Sequence, residues 1–175
     1  MLVDSVMSRP AVTIEPHRSA RAAAQLMRER RFRHLPVVRD GYLVGIVSNR
    51  DVVGRGETTV GDAMRNDVIS VSPSTPIEVA AGLMLDNKIG ALPVIADGID
   101  RRPIGIVTQS DLFAVLARLL GSDAPSTCLE LRLDDLSRRL AQVATLAYQC
   151  GVTIVSVVTV PASPDVHVRS VVQHA

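Results

Sequence analysis

Two stretches of this chain place a hydroxyl and a carboxylate three residues apart: Ser48-Asn49-Arg50-Asp51 and Thr108-Gln109-Ser110-Asp111. At a helix start this spacing is a variant capping box, in which hydroxyl and carboxylate satisfy each other's backbone N–H groups. The same helix start can hold an anion, because its unpaired N–H groups and the positive end of the helix dipole point outward. Both readings, cap and anion site, remain open at this point. Four arginines and a histidine, Arg28, Arg30, Arg31, Arg33 and His34, stand just ahead of Leu35-Pro36. Arg28, Arg30 and Arg31 fit a solvated helix C-terminus, where positive charge is favoured. Arg33 and His34 differ in immediately preceding Leu35.

Other chemistries find less support. His17, His34, His167 and His174 show no metal-ligand spacing and no Cys-x-x-Cys occurs, so no structural zinc is expected. No Gly-x-Ser-x-Gly elbow is present for a serine triad. Lys88 is the only lysine, which leaves none for a phosphate loop and makes it the sole Schiff-base candidate. Gly54-Arg55-Gly56 lacks a following helix signal and reads as a linker. The expectation is a protein that is not an enzyme and carries no cofactor.

Composition narrows the partners. Nineteen basic against eighteen acidic residues give a net charge of +1, too balanced for a nucleic-acid or anionic-membrane binder. Phe32, Tyr42, Phe113 and Tyr148 are the only aromatics, too few for a base-stacking platform. With 47% hydrophobic and 21% charged residues the chain can bury a core, and 175 residues suit one ordinary domain or two small ones. The start shows no signal-peptide pattern. The apolar runs around 112–120 and 152–161 fall short of the ~20 residues a bilayer span needs. Cys128 and Cys150 are too few for a disulfide framework and read as small buried residues. A cytoplasmic location is the default expectation.

The elements that must position these residues come from an internal duplication. A shift of 57 aligns Val3-Asp4-Ser5-Val6-Met7 with Val60-Gly61-Asp62-Ala63-Met64, and Val12-Thr13-Ile14-x-Pro16 with Ile69-Ser70-Val71-x-Pro73. It also aligns Leu35-Pro36-Val37-Val38 with Leu92-Pro93-Val94-Ile95. After a loop three residues longer in the second copy, Gly45-Ile46-Val47-Ser48-x-x-Asp51 meets Gly105-Ile106-Val107-Thr108-x-x-Asp111. Each copy reads as β-α-β-β-α. Val12 to Ile14 is expected as a short strand, followed by a helix with apolar residues at 20, 23, 24 and 27. In the second copy Thr75-Pro76-Ile77-Glu78 predicts a capping box with proline first in the helix. Strands over 36–38 and 43–47 turn at Asp40-Gly41. Closing helices start at Ser48 and Thr108, the second ending at Gly121.

The x-Leu-Pro-Val pattern followed by Gly-Ile-Val-Ser/Thr-x-x-Asp, twice in tandem, resembles a pair of CBS (cystathionine-β-synthase) domains, or Bateman module. The resemblance covers 1–121, divided as 1–56 and 57–121. It implies an adenosine nucleotide, with Ser/Thr meeting phosphate and Asp meeting the ribose hydroxyls. It also implies that each cleft mixes the copies. Thr108 and Asp111 then share a site with Arg33 and His34. Ser48 and Asp51 share one with Gly90 and Ala91, with Arg50 as the nearby cation.

Beyond a polar linker, 122–127, residues 128–175 read as β-α-β-β. Leu129, Leu131 and Leu133 alternate with polar residues, Asp134 or Asp135 caps a helix with apolar residues at 136, 140, 143, 144 and 147, and two β-branched strands follow around a turn at Pro161 to Pro164. This resembles the first half of an ACT domain, and the combination resembles bacterial acetoin-utilisation CBS/ACT proteins. The last helix and strand of that fold have no counterpart, and the loop Asp134-Asp135-Leu136-Ser137 lacks the glycine common in ACT effector sites. The expected fold class is therefore α/β (α+β), with two packed repeats and an ACT-like half domain. The expected function is regulatory sensing of an adenosine nucleotide or related adenosyl ligand, by a homodimer that relays its state to a regulated protein. The alternatives are an interaction scaffold or an ACT-type sensor with no nucleotide in the cleft.

Overall fold

Asp40 and Gly41 have φ values of 54° and 85°, the left-handed pair that a two-residue hairpin turn needs. They join β1 (His34–Arg39) to antiparallel β2 (Tyr42–Ser48). β3 (Ala91–Ile95) and β4 (Pro103–Thr108) form the matching hairpin of the second repeat. The register shifts between Val37 and Val38 in the first hairpin and between the equivalent Val94 and Ile95 in the second. The computed structural model describes residues 1–54, 58–96, 101–122, 127–133, 136–161 and 166–174. Most of the Gly54 to Gly56 linker, the longer second hairpin loop, the Asp134-Asp135 cap and the turn at 162–165 lie outside them.

The strand expected over Val12 to Ile14 reduces to one parallel bridge in each repeat. Ile14 N–H donates to the Pro36 carbonyl at 3.1 Å and the Ile14 carbonyl accepts from Val38 N–H at 2.9 Å; Val71 does the same with Pro93 and Ile95 at 3.1 and 3.0 Å. Pro16 and Pro73, two residues on, have no N–H with which to extend the ladder.

α1 (Ala20–Arg30) buries Ala20, Ala23 and Met27, on the stripe expected, and Ser19 caps it by accepting Ala22 N–H at 3.1 Å. α4 (Ile77–Asp86) departs from expectation. Pro76 itself is the N-cap, and the Thr75 hydroxyl accepts Ser72 N–H at 3.1 Å. With that hydroxyl engaged upstream, the Met1 carbonyl takes Ile77 N–H at 3.1 Å. The closing helix of the first repeat, α2 (Asn49–Val52), is a single turn, followed by the equally short α3 (Val60–Ala63). That of the second, α5 (Gln109–Leu119), ends as expected: Gly121 takes φ 84° and Ser122 N–H reaches back to the Ala117 carbonyl at 3.1 Å.

The hydrophobic cores reveal an exchange. Val60 and Ala63, which lead into the second repeat, pack with Ile14, Met27, Leu35 and Val47 of the first. Val3 and Met7, at the start of the chain, pack with Met84, Leu92 and Val107 of the second. Backbone pairs fasten both leaders: Ser8 with Ile106 at 2.9 and 3.1 Å, and Arg65 with Ile46 at 2.9 and 3.0 Å. The glycines of the repeated Gly-Ile-Val motif make room for this. A Cβ on Gly105 would stand 2.8 Å from Met7 Sδ and 2.9 Å from the Ser8 carbonyl, and one on Gly45 would overlap Met64 Sδ.

By internal packing the chain divides into Met1–Leu112 and Phe113–Ala175. In the second unit, β5 (Thr127–Leu133), α6 (Leu136–Gln149), β6 (Val152–Pro161) and β7 (Val166–His174) follow the expected β-α-β-β order. The sheet order is β5-β7-β6 with both pairings antiparallel. β5 and β6 therefore run parallel with β7 between them, a split βαβ unit. Leu140, Val143 and Ala147 of α6 are half-buried, whereas Leu129 of β5 is exposed. Cys128 and Cys150 are exposed rather than buried: Cys128 lies in a stretch of β5, 127–130, that is exposed throughout, and Cys150 in the turn that follows α6.

Gly105→Ala should lower stability by about 1–3 kcal/mol, since its Cβ meets backbone as well as the Met7 side chain. Gly82→Ala in α4, where the added Cβ meets nothing within 4 Å, should instead stabilise by about 0.4–1 kcal/mol. Urea denaturation of both variants checks this contrast, and an unchanged midpoint for Gly105→Ala contradicts the packing account.

Candidate functional site

The end of β4 and the first turn of α5 face the start of β1 across a cavity of about 430 Å³, a size suited to a small ligand. Arg31, Arg33 and His34 line it from the first repeat, and Gly90, Thr108 and Asp111 from the second. Ser8, Pro10 and Val12 of the exchanged leader complete one wall. Thr108, Asp111, Arg33 and His34, which the resemblance to a CBS pair places in one site, all line this cavity.

Thr108 ends β4 and opens α5. Its N–H and hydroxyl both donate to Asp111 Oδ2, at 2.8 and 2.7 Å, and Asp111 N–H returns to Thr108 Oγ1 at 3.4 Å. Ser48 and Asp51 repeat the arrangement at 2.8 and 2.5 Å. A third copy, Thr59 with Asp62, has bonds of 3.0 and 2.6 Å, which hold the Asp62 carboxyl below its ordinary pKa. The Ser/Thr-x-x-Asp pattern is therefore a cap wherever it occurs here. What distinguishes Thr108 and Asp111 is the cavity they line.

The helix starts are tied to the cation-bearing segments. Asn49 N–H donates to the Arg33 carbonyl at 2.8 Å, and Gln109 N–H to the equivalent Gly90 carbonyl at 3.1 Å. Gly90 also faces the His34 ring. A Cβ there would stand 3.1 Å from His34 Cε1 and 3.3 Å from Nε2, so glycine lets the imidazole of one repeat settle against the other. Burial holds the His34 pKa below 6.5; Asp51 pulls it back up, while Arg33 and Arg50 push it down. His34 is neutral at neutral pH. Ser48, Arg50 and Asp51 are not among the residues lining this cavity. Ser48 lies opposite His34 in the β1–β2 register, and Asp51 and Arg50 act on the cavity through the His34 ring. Ala91, expected beside Ser48 and Asp51, is buried and pairs with Thr108.

Sequence reasoning missed Arg31, which it left on a solvated helix end. A signal existed in the repeat: Lys88 occupies the equivalent position, so a cation follows the helix in both copies. Among the described residues no group of three or more His, Cys, Asp or Glu side chains is disposed to hold a metal, and no helix is long and apolar enough to cross a membrane.

His34 links this cavity to pH. Unfolded, it titrates near 6.5; folded, it takes up its proton at lower pH. Its contribution to stability is therefore complete above 6.5 and is lost as pH falls from there through the folded value. In melting curves between roughly pH 7 and 5, His34→Gln should flatten the acid-side decline. A slope identical to that of the unsubstituted chain contradicts the assignment.

Comparison with known proteins converges on the same stretch of chain. Inosine-5'-monophosphate dehydrogenase of Korarchaeum cryptofilum is 38% identical over 112 residues, 63% of this chain and 23% of that enzyme. This chain thus spans less than a quarter of that relative's length. Among solved structures, the CBS domain pair of protein MJ0100, in complex with 5'-methylthioadenosine and S-adenosyl-L-methionine, superposes with a TM-score of 0.63 at 29% identity, covering 67% of this chain and 97% of that one. The acetoin utilization protein AcuB of Vibrio cholerae gives a TM-score of 0.60 at 32% identity over 71% and 98% of the two chains. CBSX2 in complex with AMP gives 0.60 at 26% identity over 67% and 97%. The CBS domain family model matches residues 3–56 and 60–118, the two tandem repeats, and the chain belongs to the CBS domain family.

Proposed function

We propose that the protein is a regulatory sensor that binds an adenosine nucleotide in the cavity lined by Arg33, His34, Thr108 and Asp111, and relays its state to a partner protein. The observation that carries this reading is the meeting, in one cavity, of a capped helix start from the second repeat and a guanidinium from the first. The adenosyl ligands of the MJ0100 pair and of CBSX2 support the ligand class. In this reading Asp111 accepts from the ribose hydroxyls with Oδ1, since its cap bonds land on Oδ2. Thr108 and the Ser110 N–H, the first-turn N–H engaged by neither the cap nor the Gly90 carbonyl, meet the phosphate, and Arg33 supplies a planar, always-charged fork. Neutral His34 gains a proton as the phosphate arrives. Ser48, Asp51 and Arg50 play a weaker part, through His34 or in a second, poorer cleft.

A ligand held by both repeats shifts their arrangement only as far as its affinity differs between the two states. The split βαβ unit, an ACT-like half domain in this reading, passes that shift on. A homodimer belongs to the same proposal. Phe113 of α5 is 68% exposed, with Leu116 and Leu119 exposed on the same helix, an apolar stripe that a second copy would cover.

Binding tests the proposal by calorimetry. Arg33→Ala should weaken AMP far more than adenosine; equal losses rule out the phosphate role. Asp111→Ala should weaken AMP by about ten- to a hundredfold, as for a lost charge-assisted bond. Asp51→Ala should cost less. If the folded Asp111 and Asp51 variants both bind as before, the motifs are caps alone and the sensor reading fails.

A further inference from the structure

Arg31 stands at a place where an arginine is out of character. It closes α1 in the left-handed conformation, φ 58°, with its N–H donating to the Arg28 carbonyl at 3.4 Å and Phe32 N–H to Met27 at 3.0 Å. Helices that end this way favour glycine or asparagine, because any larger side chain is strained there. The second repeat does the same thing. Lys88 has φ 53°, its N–H donates to Leu85 at 3.2 Å, and Ile89 N–H donates to Met84 at 3.0 Å. Strain tolerated twice at one position, each time under a long cation, points to a use for the charge. The helix dipole does not supply that use in α1, whose last turn already carries Arg28 and Arg30.

The cavity supplies it. Arg31 and Arg33 both line it, and neither forms an ion pair with a described residue. Asp111 is the one carboxylate among the lining residues, and it is engaged by its cap. A single phosphate at the start of α5 carries close to two negative charges at neutral pH, met there by the helix start and by Arg33. Each further phosphate adds negative charge beyond the helix start, and Arg31, two residues from Arg33 among the same lining residues, is the remaining guanidinium to meet it.

We propose that Arg31 and Arg33 form a guanidinium pair that counts phosphates, so that the cavity takes a nucleoside di- or triphosphate in preference to the monophosphate. This rests on the nucleotide reading given above. Arg33 meets the first phosphate and Arg31 the outer ones, each by charge-assisted bonds. Ligands without a phosphate chain, such as 5'-methylthioadenosine, gain nothing from Arg31.

The test is titration of the full chain with AMP, ADP, ATP and 5'-methylthioadenosine, repeated on Arg31→Gly and Arg31→Gln. Arg31→Gly removes the charge and the strain together, so its melting temperature should hold or rise. ATP should bind the unsubstituted chain roughly tenfold more tightly than AMP, one charge-assisted contact's worth, and either substitution should bring that ratio close to one. Equal affinity for AMP and ATP in the unsubstituted chain, or a ratio untouched by both substitutions, overturns the guanidinium pair and leaves the nucleotide reading standing. Failure of every compound to bind the unsubstituted chain overturns the nucleotide reading itself.

Discussion

Two methionines lying on two glycines tie the repeats of this protein together. Met7 covers Gly105 and Met64 covers Gly45, and in each case the methionine comes from the leader of the other repeat. Val3 and Val60, completely buried, travel with them. Burying an aliphatic side chain of this size contributes about 1.5–3 kcal/mol, so neither repeat can keep its core without the other's leader. The exchange also builds the cavity. Once Ser8 is fastened to Ile106, the chain must pass through Pro10 and Val12, which form one wall.

Backbone symmetry and side-chain asymmetry divide the work. The bridges at Ile14 and Val71, the matched register shifts, the left-handed residues 31 and 88, and the tethers from Asn49 and Gln109 are the same in both copies. Arg33-His34 against Gly90-Ala91 is where the copies part. Gly90 is small because the His34 ring lies against it, and one cavity thereby receives the imidazole and two guanidinium groups. The unequal pair makes one well-equipped site out of a nearly symmetric frame.

The hairpins and the starts of the closing helices were legible in the sequence, because local turn chemistry and a repeated motif carry them; the meeting of Thr108 and Asp111 with Arg33 and His34 followed only from the resemblance to a CBS pair, which implies that each cleft mixes the copies. The exchange was not. Aligning Met7 with Met64 shows that they are equivalent, and says nothing of which core each enters; both glycine contacts are long-range. The strand over Val12 to Ile14 and the Thr75 cap were overestimated because propensity ignores a proline downstream and a competing acceptor role one turn upstream. Thr59 and Asp62 form the same cap as the two motif pairs, so motif spacing alone could not identify a site; the cavity had to be seen. Arg31 was hidden by its neighbours, since a run of arginines at a helix end has an ordinary explanation until one of them is found in the left-handed region facing the cavity.

The central claim is that this duplicated frame holds one principal nucleotide site per chain. Its most direct test is the stoichiometry of AMP binding by calorimetry on the full chain. The account predicts one tight site per chain, with any second event clearly weaker, because Gly90 and Ala91 give a second cleft no side-chain cation. Two sites of equal affinity per chain would contradict it.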